Sequence, residues 1–344
     1  MWQALESGWE LQPTADGLSA REAGSTGRVK RLGVLGTLVW DRIWHPAHSG
    51  SAVEQWGGIT YSLHALSAAC PAGWSVEPLL KIGHDLAEDA RSFLMGLPSV
   101  SLAAGFKPVP ELTNRVELTY SDESQRGERL TGGVPSWTWA EIEPLLDRYD
   151  ALYLNFISGF ELELETALRL RAAFAGPIYA DLHSLFLGCP GSGTRQRRAL
   201  PRWREWITCF DAIQLNEGEL ELLAGSVAPA AFMAGLVDSG PEMIAATLGS
   251  RGARIEARAG RLWQAAEGER LSLHVPIGVS PVAGDPTGCG DVWGSSFYIG
   301  MLEGHLPGAA AERANSYAAA NIRSPATDGL HRRLRESERA VRTG

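Results

Sequence analysis

GDPTGCGDVWG, residues 284–294, is the most informative segment of the sequence. Two glycines and two small side chains, from Thr287 to Gly290, precede an apolar stretch of helical length. Several main-chain N–H groups can therefore turn toward one point at the positive end of a helix dipole. Asp291 follows at the start of that helix, where its carboxylate can reach an acceptor hydroxyl. An anion-binding turn beside a general base is what phosphoryl transfer to an alcohol requires.

The same residues allow two other interpretations. A glycine-rich turn that leads into a helix capped by an aspartate is a common structural device, and the residues alone do not distinguish it from a functional turn. Gly288, Gly290 and Gly294 also lie near the spacing of a dinucleotide-binding fingerprint. That fingerprint follows a strongly apolar strand and has an acid about 20 residues later at a strand end. Here the acid at that distance, Glu312, lies in a predicted helix, which argues against the fingerprint.

Outward from this segment, apolar runs of strand length alternate with helical segments. We predict strands near residues 31–40, 76–81, 100–103, 151–156, 177–182, 210–216 and 243–249, and helices near 61–69, 86–97, 139–148, 162–174, 218–223, 230–238, 289–303 and 307–323. This alternation predicts a mostly parallel sheet that is covered on both faces. Residues 115–131 differ, because charged and apolar residues alternate around a turn-like SDESQRG centre, which predicts a solvated β-hairpin.

Composition argues against several classes of function. The 344 residues carry a net charge of -9, and 44% of them are hydrophobic, as in ordinary globular proteins. The negative charge works against a nucleic-acid partner or an anionic membrane, because both need a surplus of Lys and Arg. No apolar run approaches the roughly 18 residues of a membrane span. The four cysteines form no CxxC pair, so we expect a reducing, cytoplasmic location.

Four further segments, in a fixed order along the chain, strengthen the interpretation of residues 284–294. They are VLGTLVWD (34–41), QWGGITYSLHALSAA (55–69), LNEGELELLAG (215–225) and TLGSRGA (247–253). Together the five segments resemble the PfkB/ribokinase family of carbohydrate and nucleoside kinases, whose C-terminal signature is usually Asp-Thr-x-Gly-Ala-Gly-Asp. The resemblance covers about residues 30–325.

The resemblance implies a ribokinase-like α/β fold, a three-layer α/β/α sandwich with a mostly parallel central sheet and a small β lid. It divides the chain into a partly disordered N-terminal extension (1–28), a kinase domain (29–330) and a charged C-terminal tail (331–344). Lid segments are expected at about residues 40–58 and 105–133. Lids of this family often pair between subunits, so a homodimer through the lid is a further expectation.

The resemblance also implies an ATP-dependent kinase that uses Mg²⁺ and moves the γ-phosphate to a hydroxyl of a small sugar-like acceptor. Asp291 would be the base, and the amides of Gly288, Cys289 and Gly290 would form the anion hole. The residues implied for the acceptor are Asp41, Gly57, Gly58, Ser62 and Arg115. Those implied for the nucleotide are Asn216, Thr247, Gly249, Gly252, Thr287 and Asn315. Asn216 and Glu219 would bind Mg²⁺ through water, and Asp285 would bind a monovalent cation such as K⁺.

Spacing gives a separate reason to consider Asn216 and Glu219. They lie about one helical turn apart, so both side chains can face one ion, and Mg²⁺ prefers oxygen ligands and retained waters. The same spacing also fits a helix capping box, in which Asn is the N-cap and Glu follows three residues later. Both interpretations can hold together.

Two departures from the family pattern leave the acceptor open. Ser62 stands where the family commonly has Asn, and Asp181-Leu182-His183-Ser184-Leu185 replaces a common Asp-x-Asn-x-Arg segment. Arg115 has an alternative role as part of a solvated hairpin. A nucleoside kinase and a kinase of a cyclitol such as inositol therefore stay open beside a sugar kinase. So does a non-catalytic sensor that binds nucleotide or sugar.

Overall fold

The computed structural model describes residues 28–44, 52–120, 126–278, 284–324 and 326–343. The predicted N-terminal extension (1–28), apart from Arg28, and the centre of the predicted hairpin (121–125) therefore lie outside the described residues. The strands are β1 (Lys30–Leu35), β2 (Leu38–Trp44), β3 (Val53–Gly58), β4 (Trp74–Gly83), β5 (Phe106–Val109), β6 (Arg115–Tyr120), β7 (Arg126–Thr131), β8 (Ala151–Asn155), β9 (Ile178–Asp181), β10 (Leu187–Gly188), β11 (Gln196–Arg197), β12 (Ala212–Asn216), β13 (Met243–Thr247), β14 (Ala253–Arg258) and β15 (Arg270–Val275). The helices are α1 (Thr60–Ala69), α2 (Ala87–Met95), α3 (Trp139–Ile142), α4 (Leu164–Ala173), α5 (Trp203–Thr208), α6 (Glu217–Ala224), α7 (Pro229–Ser239), α8 (Cys289–Leu302), α9 (Pro307–Ile322) and α10 (Leu330–Thr343).

A nine-stranded sheet runs through the centre of the molecule in the order β15-β14-β13-β12-β9-β8-β1-β4-β5. Its strands from β13 to β5 are parallel, and β14 and β15 pair antiparallel at one edge. Side chains alternate between the two faces of a strand. In β8, Ala151 and Tyr153 enter one core and Leu152 and Leu154 enter the other. This is why the strand is apolar throughout, as expected of a parallel strand covered on both sides.

The two cores define the helical layers. Helices α1, α2, α8, α9 and α10 contribute to the core on one face of the sheet, and α3 to α7 contribute to the core on the other. The predicted three-layer α/β/α sandwich with a mostly parallel sheet is therefore confirmed.

A four-stranded sheet in the order β3-β2-β6-β7 forms the predicted lid. Strands β6 and β7 form the predicted hairpin. The inward face of the lid has its own small core of Val39, Ile43, Val116, Leu118 and Leu130. The other face carries charged residues, as predicted for a sheet that meets solvent on one side.

Two predictions at the lid boundaries were wrong. The strand predicted at 31–40 is two strands, because the chain leaves the central sheet at Gly36 and enters the lid as β2. A Cβ at Gly36 would lie 2.7 Å from Ile59, so the glycine allows this bend to pack closely. The strand predicted at 100–103 is replaced by β5, which pairs with β4 in the central sheet. The second lid segment therefore begins at Arg115 and not near residue 105.

The charged segment that follows the predicted kinase domain forms helix α10. Leu330 and Leu334, one turn apart, are fully buried, and the helix packs on α1 and α9. Glu338 on its third turn pairs with Arg313 and accepts a hydrogen bond from Tyr317. The charged residues of the predicted tail therefore belong to one face of a docked amphipathic helix.

Across the described ranges, no single helix is both long and apolar enough to cross a membrane. Helices α6 and α7 are long and apolar enough only when they are taken together, and the chain bends by 75° between them.

Candidate functional site

The candidate site lies where β8, β9 and β12 end side by side. Asn155, Asp181 and Asn216 are the last residues of these strands, and all three are polar. Parallel strands bring their carboxyl ends to one edge of the sheet, where ligands of open α/β sheets bind. Helix α8 begins at the same edge with Cys289 and carries Asp291 in its first turn.

Asn155 holds the carboxylate of Asp291. Its side-chain Nδ2 donates to Asp291 Oδ1 at 2.6 Å and to Ser62 Oγ at 3.1 Å. Asn155 is 1% exposed, so its amide has little freedom to turn. The sequence reasoning did not single out Asn155. The signal that could have found it is a polar residue at the carboxyl end of a fully apolar strand.

Ser62 takes part in this arrangement from inside the core. It is fully buried, and its hydroxyl contacts Tyr153 Oη at 3.3 Å and the carbonyl of Asp291 at 3.4 Å. A hydroxyl without exposed surface cannot touch an acceptor directly. The burial of Ser62 therefore gives no support to its prediction as an acceptor ligand, and its contacts are with Tyr153, Asn155 and the backbone of Asp291.

The turn before α8 is built around Gly288. This residue has a φ of 74°, a conformation that favours glycine, and a Cβ there would overlap the ring of Tyr61. Asp285 Oδ1 accepts hydrogen bonds from the amide of Thr287 at 2.9 Å and from its hydroxyl at 2.6 Å. Asp285 thus shapes the turn.

Not all of the predicted anion-binding amides are available. The amide of Cys289 donates to the carbonyl of Pro286 at 3.1 Å, so the turn itself uses this donor. Within the described ranges, the amides of Gly288 and Gly290 donate no hydrogen bond. Of the three amides predicted for the anion hole, two therefore remain available for a ligand at the N-terminal end of α8.

Gln214, near the end of β12, fixes the first turns of α8 against the sheet. Its Nε2 donates to Asp181 Oδ2 at 2.8 Å and to the carbonyl of Gly290 at 3.0 Å, and its Oε1 accepts from Tyr179 Oη at 2.8 Å. A Cβ at Gly294 would overlap Gln214 Oε1. Gly294 is thus required for close packing between α8 and β12. This packing explains why a glycine stands at the third position of the spacing that resembles a dinucleotide-binding fingerprint.

Carboxylates crowd a pocket of about 360 Å³ at the start of α8, which we call the acidic pocket. It is lined by Asp181, His183, Gln214, Asn216, Glu219, Thr247, Pro286, Thr287, Gly288, Gly290 and Asp291. Burial, followed by the nearby Asp291 and Glu219, raises the pKa of Asp181 to about 8. Such crowding of acidic groups favours a bound cation, which would offset their repulsion.

Asn216 and Glu219 form the capping box that their spacing allowed. Asn216 accepts from the amide of Glu219 at 3.0 Å, and Glu219 Oε2 accepts from the amide of Asn216 at 2.8 Å. His183 Nδ1 lies 2.5 Å from Glu219 Oε1. Burial opposes the charged imidazole, but Glu219 outweighs it and raises the pKa of His183 to about 9.

The side chains of this pocket suit a Mg²⁺ ion that is coordinated mainly by water and by oxygens of a bound ligand. Among the described residues, no cluster of three or more His, Cys, Asp or Glu could hold a metal ion directly. The carboxylate of Glu219 is already engaged by the capping box and by His183. Mg²⁺ keeps several waters and is commonly bound by one or two carboxylates plus phosphate oxygens, so these residues fit it in that mode.

A second pocket of about 340 Å³, which we call the apolar pocket, adjoins the acidic one. Asn216, Thr247 and Gly290 line both pockets. The remaining lining residues of the apolar pocket are Glu217, Gly218, Leu248, Gly249, Gly252, Ile277, Cys289, Trp293, Asn315 and Ala318. The residues that the resemblance implies for the nucleotide therefore line these two pockets, Thr287 in the acidic pocket and the others in the apolar pocket.

Asn315 also shapes the apolar pocket. Its Oδ1 accepts from Trp293 Nε1 at 2.9 Å, and its Nδ2 donates to the carbonyls of Val275 and Pro276 at 3.2 and 3.1 Å. The residue thus ties α9 to α8 and to the end of β15.

Asp41 and Gly57 pack face to face on paired strands of the lid. Asp41 is 4% exposed, and a Cβ at Gly57 would overlap its carboxylate. Gly58 has a φ of 61° and leads the chain from β3 into α1. Tyr61 follows in α1, where burial and the nearby Asp41, Asp285 and Asp291 raise the pKa of its hydroxyl. Tyr61 therefore lies close to the lid carboxylate of Asp41, the turn at Asp285 and the carboxylate of Asp291.

Arg115 is engaged elsewhere. Its Nη2 lies 2.6 Å from Asp85 Oδ2, and its Nη1 donates to the carbonyl of Thr113 at 3.2 Å. Partial burial opposes the charged carboxylate, but bonds from Thr113 and Arg115 outweigh it and lower the pKa of Asp85 to about 2. This pairing accounts for Arg115 structurally and gives no support to its prediction as an acceptor ligand.

Comparison with solved structures identifies the fold. A ribokinase II structure from E. coli in complex with ATP and Mg²⁺ matches with a TM-score of 0.69 and 15% identity, over 92% of this chain and 99% of that chain. A pyrophosphate-dependent kinase in the ribokinase family, complexed with a pyrophosphate analog and myo-inositol, matches with a TM-score of 0.67 and 16% identity, over 88% and 99%. Adenosine kinase from Sinorhizobium meliloti matches with a TM-score of 0.66 and 16% identity, over 90% and 100%.

These similarities show that the chain has the ribokinase-like fold, as the sequence predicted. Comparison with protein-family models and with curated proteins finds no match.

Proposed function

We propose that the protein is an ATP-dependent phosphotransferase that moves the γ-phosphate of MgATP to a hydroxyl of a small sugar-like acceptor. The position of Asp291 carries this proposal. Its carboxylate lines the acidic pocket in the first turn of α8, next to the amides of Gly288 and Gly290. A base beside amides that can bind a phosphate is the arrangement that transfer to an alcohol needs.

In the proposed reaction, Asp291 accepts the proton of the acceptor hydroxyl as the oxygen attacks the γ-phosphorus in line, and the bond from that phosphorus to the β,γ-bridging oxygen breaks so that ADP leaves. Asn155 fixes the orientation of the carboxylate through its hydrogen bond to Oδ1. The amides of Gly288 and Gly290, with the dipole of α8, stabilise negative charge on the transferring group. Asn216 and Glu219 would hold Mg²⁺ through water, and the ion would supply further charge neutralisation.

The apolar pocket favours a nucleotide as the donor. One wall of the pocket is apolar and is formed by Leu248, Ile277, Trp293 and Ala318. Such a wall suits a purine base, whereas inorganic pyrophosphate has no apolar part that could contact it. One of the structural neighbours is pyrophosphate-dependent and another is complexed with ATP. Pyrophosphate is therefore the donor to test beside ATP.

The acceptor is proposed to bind between the lid and Asp291, with Asp41 accepting hydrogen bonds from its hydroxyls beside Gly57 and Gly58. Asp41 and Tyr61 give this region a polar character that suits a polyhydroxylated ligand. Closure of the lid would exclude water and limit hydrolysis of ATP. Sugars, nucleosides and cyclitols all present hydroxyl groups of the required kind.

The test is a phosphorylation assay over those three classes of acceptor, each with MgATP and with Mg-pyrophosphate. Product formation with MgATP and one class supports the proposal and identifies the acceptor. A protein that is stabilised by ATP and by an acceptor but forms no product would be a sensor of the same fold. Activity with pyrophosphate alone would contradict the choice of donor.

Two smaller proposals follow from the resemblance. Asp285 would serve a monovalent-cation site, which predicts faster turnover in K⁺ than in a bulky organic cation at equal ionic strength. A homodimer would form through the outer edge of β3, which has no strand partner among the described residues. The outer edge of β7 is partly covered by residues 193–195 of the same chain.

A further inference from the structure

The short hairpin β10–β11 is fixed to the lid at its tip. The amide of Leu130 donates to the carbonyl of Gly193 at 2.8 Å, and the amide of Arg195 donates to the carbonyl of Glu128 at 2.9 Å. The guanidinium of Arg195 is buried and contacts Glu128 Oε1 at 3.1 Å and the carbonyl of Ser158 at 3.0 Å. These contacts fix the backbone of the hairpin relative to the lid, and the side chains of β11 are exposed.

Arg197, on β11, lies against Gly218 in the first turn of α6. A Cβ at Gly218 would be 2.8 Å from Arg197 Nη1 and 3.0 Å from Nη2, so the guanidinium packs on the bare Cα. Gly218 is part of the wall of the apolar pocket, two residues after Asn216, which both pockets share. Arg197 itself lines neither pocket, but it lies next to the wall of the apolar pocket.

Within the part of the chain that the structure describes, the side chain of Arg197 makes no hydrogen bond or ion pair, and only its backbone is paired, with β10. Both carboxylates of the adjacent helical turn are engaged, Glu217 by Arg251 and Glu219 by His183. A guanidinium beside the first turn of a helix also faces the positive end of the dipole, which does not stabilise a cation. An anion bound beside the guanidinium and the helix terminus would interact favourably with both.

The charge of the two pockets points to the same conclusion. Among their described lining residues there is no Lys or Arg, and the basic His183 is already paired with Glu219, whereas Asp181, Glu217, Glu219 and Asp291 are all acidic. A polyphosphate in such a cleft needs added positive charge, and the planar fork of arginine binds phosphate oxygens in pairs. Leu185, at the position where the family pattern has Arg, is buried in the core and supplies none.

We propose that Arg197 binds a phosphate group of the donor at the wall formed by Gly218, and so determines the affinity for the donor. This inference rests on the proposed function, because the donor is the MgATP assigned to the two pockets.

The first test compares Arg197→Ala with Arg198→Ala. Arg198 is the next residue on the same exposed hairpin, and its side chain lies near Gly188, away from α6. Titration calorimetry would measure binding of Mg²⁺ with a non-hydrolysable β,γ-imido analogue of ATP, and of Mg²⁺ with tripolyphosphate. We expect Arg197→Ala to weaken both by about tenfold or more, as for the loss of a charge-assisted hydrogen bond, and Arg198→Ala to change them by less than about twofold.

A second test moves the guanidinium without removing it. In Gly218→Ala the new methyl group would displace Arg197, while the helical position itself favours Ala over Gly. The melting temperature should be equal or higher, and the affinity for both phosphate probes should fall. In the double variant Arg197→Ala/Gly218→Ala the loss should not exceed that of Arg197→Ala alone, because both changes remove one interaction. Additive losses would mean that the methyl group obstructs the donor directly, and would contradict the role of Arg197.

The outcomes separate this inference from the proposed function. A protein that phosphorylates an acceptor but binds the probes equally well with and without Arg197 retains the proposed function and overturns the inference. A protein that phosphorylates no acceptor but loses probe affinity in Arg197→Ala retains the phosphate site and overturns the proposed reaction. Equal losses of probe affinity in Arg197→Ala and Arg198→Ala would show that any nearby positive charge has the same effect, and would overturn the inference. A wild-type protein that binds neither probe contradicts both proposals.

Discussion

Asn155 and Asp291, 136 residues apart in the sequence, are joined by a hydrogen bond of 2.6 Å from the side-chain amide to the carboxylate. The bond connects the end of β8 to the first turn of α8. It sets the direction of the carboxylate that we propose as the base. Because Asn155 is buried, this partner of the carboxylate is held by the core.

Replacement of Asp291 by Asn tests the proposed base directly. The amide keeps the size of the side chain but cannot accept the proton, so we expect turnover to fall by at least about 10²-fold. Binding of the ATP analogue and the melting temperature should change little. Asp89→Asn, which removes a carboxylate from the exposed face of α2, serves as the control and should leave turnover unchanged. Near-normal turnover of Asp291→Asn would exclude Asp291 as the base.

Replacement of Asn155 by Ala tests the positioning of that base. The carboxylate would lose its fixed partner, and a poorly oriented base lowers kcat without weakening donor binding. We expect kcat to fall by about 10- to 100-fold, with KM for ATP nearly unchanged. Ser62→Ala removes the second partner of the same amide and two longer contacts of the hydroxyl, but it leaves the bond from Asn155 to the carboxylate in place, so it should have a smaller effect in the same direction. A rise in KM for ATP with normal kcat would contradict the positioning role.

Gly294 should be the least replaceable glycine of α8. Gly294→Ala places a methyl group against Gln214 Oε1, and overpacking of this kind costs about 1–3 kcal/mol of stability. Because Gln214 also holds the carbonyl of Gly290, turnover should fall with stability. Gly235→Ala, in α7 with open space around the site, should instead stabilise the protein by about 0.5–1 kcal/mol. Denaturant unfolding of both variants measures the difference, and equal stabilities would show that the packing argument fails.

The sequence predicted those parts of the fold that depend on local patterns. The apolar run before Asn155 predicted β8, and the signature around Gly288 predicted the turn and α8. Strands β14 and β15 were missed because they lack the continuous apolar run that predicted the strands buried on both faces; their apolar and polar residues alternate instead, as in strands that pack one face on a core. The bend at Gly36 was missed because an apolar run does not reveal where a strand changes sheets.

The site was predictable only where its residues are close together in the chain. Asn216 and Glu219, three residues apart, could be paired by helical geometry, and the capping box between them is observed. Asn155 and Asp291 could not be paired, because nothing local relates the ends of two distant elements. The engagement of the Cys289 amide by Pro286 likewise depends on the details of the turn, which glycine spacing does not define.

His64 provides a prediction that concerns stability rather than catalysis. It lies on α1, is 2% exposed, and stacks on His331 of α10 with 5.5 Å between the ring centroids. The amide of His331 donates to His64 Nδ1 at 3.2 Å, which requires this nitrogen to be unprotonated. Burial, with smaller effects of His331 and Arg333, lowers the pKa of His64 to about 3. The folded protein therefore keeps this imidazole neutral.

In the unfolded chain His64 titrates near pH 6.5, so below that pH the unfolded state binds a proton that the folded state does not. Stability is thus lost as the pH falls from about 6.5 toward 3. Between pH 7 and pH 5 this one group should cost about 2 kcal/mol. In His64→Phe, which keeps an aromatic ring against His331, that part of the loss should disappear. Urea unfolding gives the free energy of unfolding of wild type and variant at pH 7 and at pH 5. Subtracting the pH-dependent change of the variant from that of the wild type removes the contribution of groups that titrate in both proteins. If the two proteins lost the same stability on acidification, His64 would not be held neutral between α1 and α10.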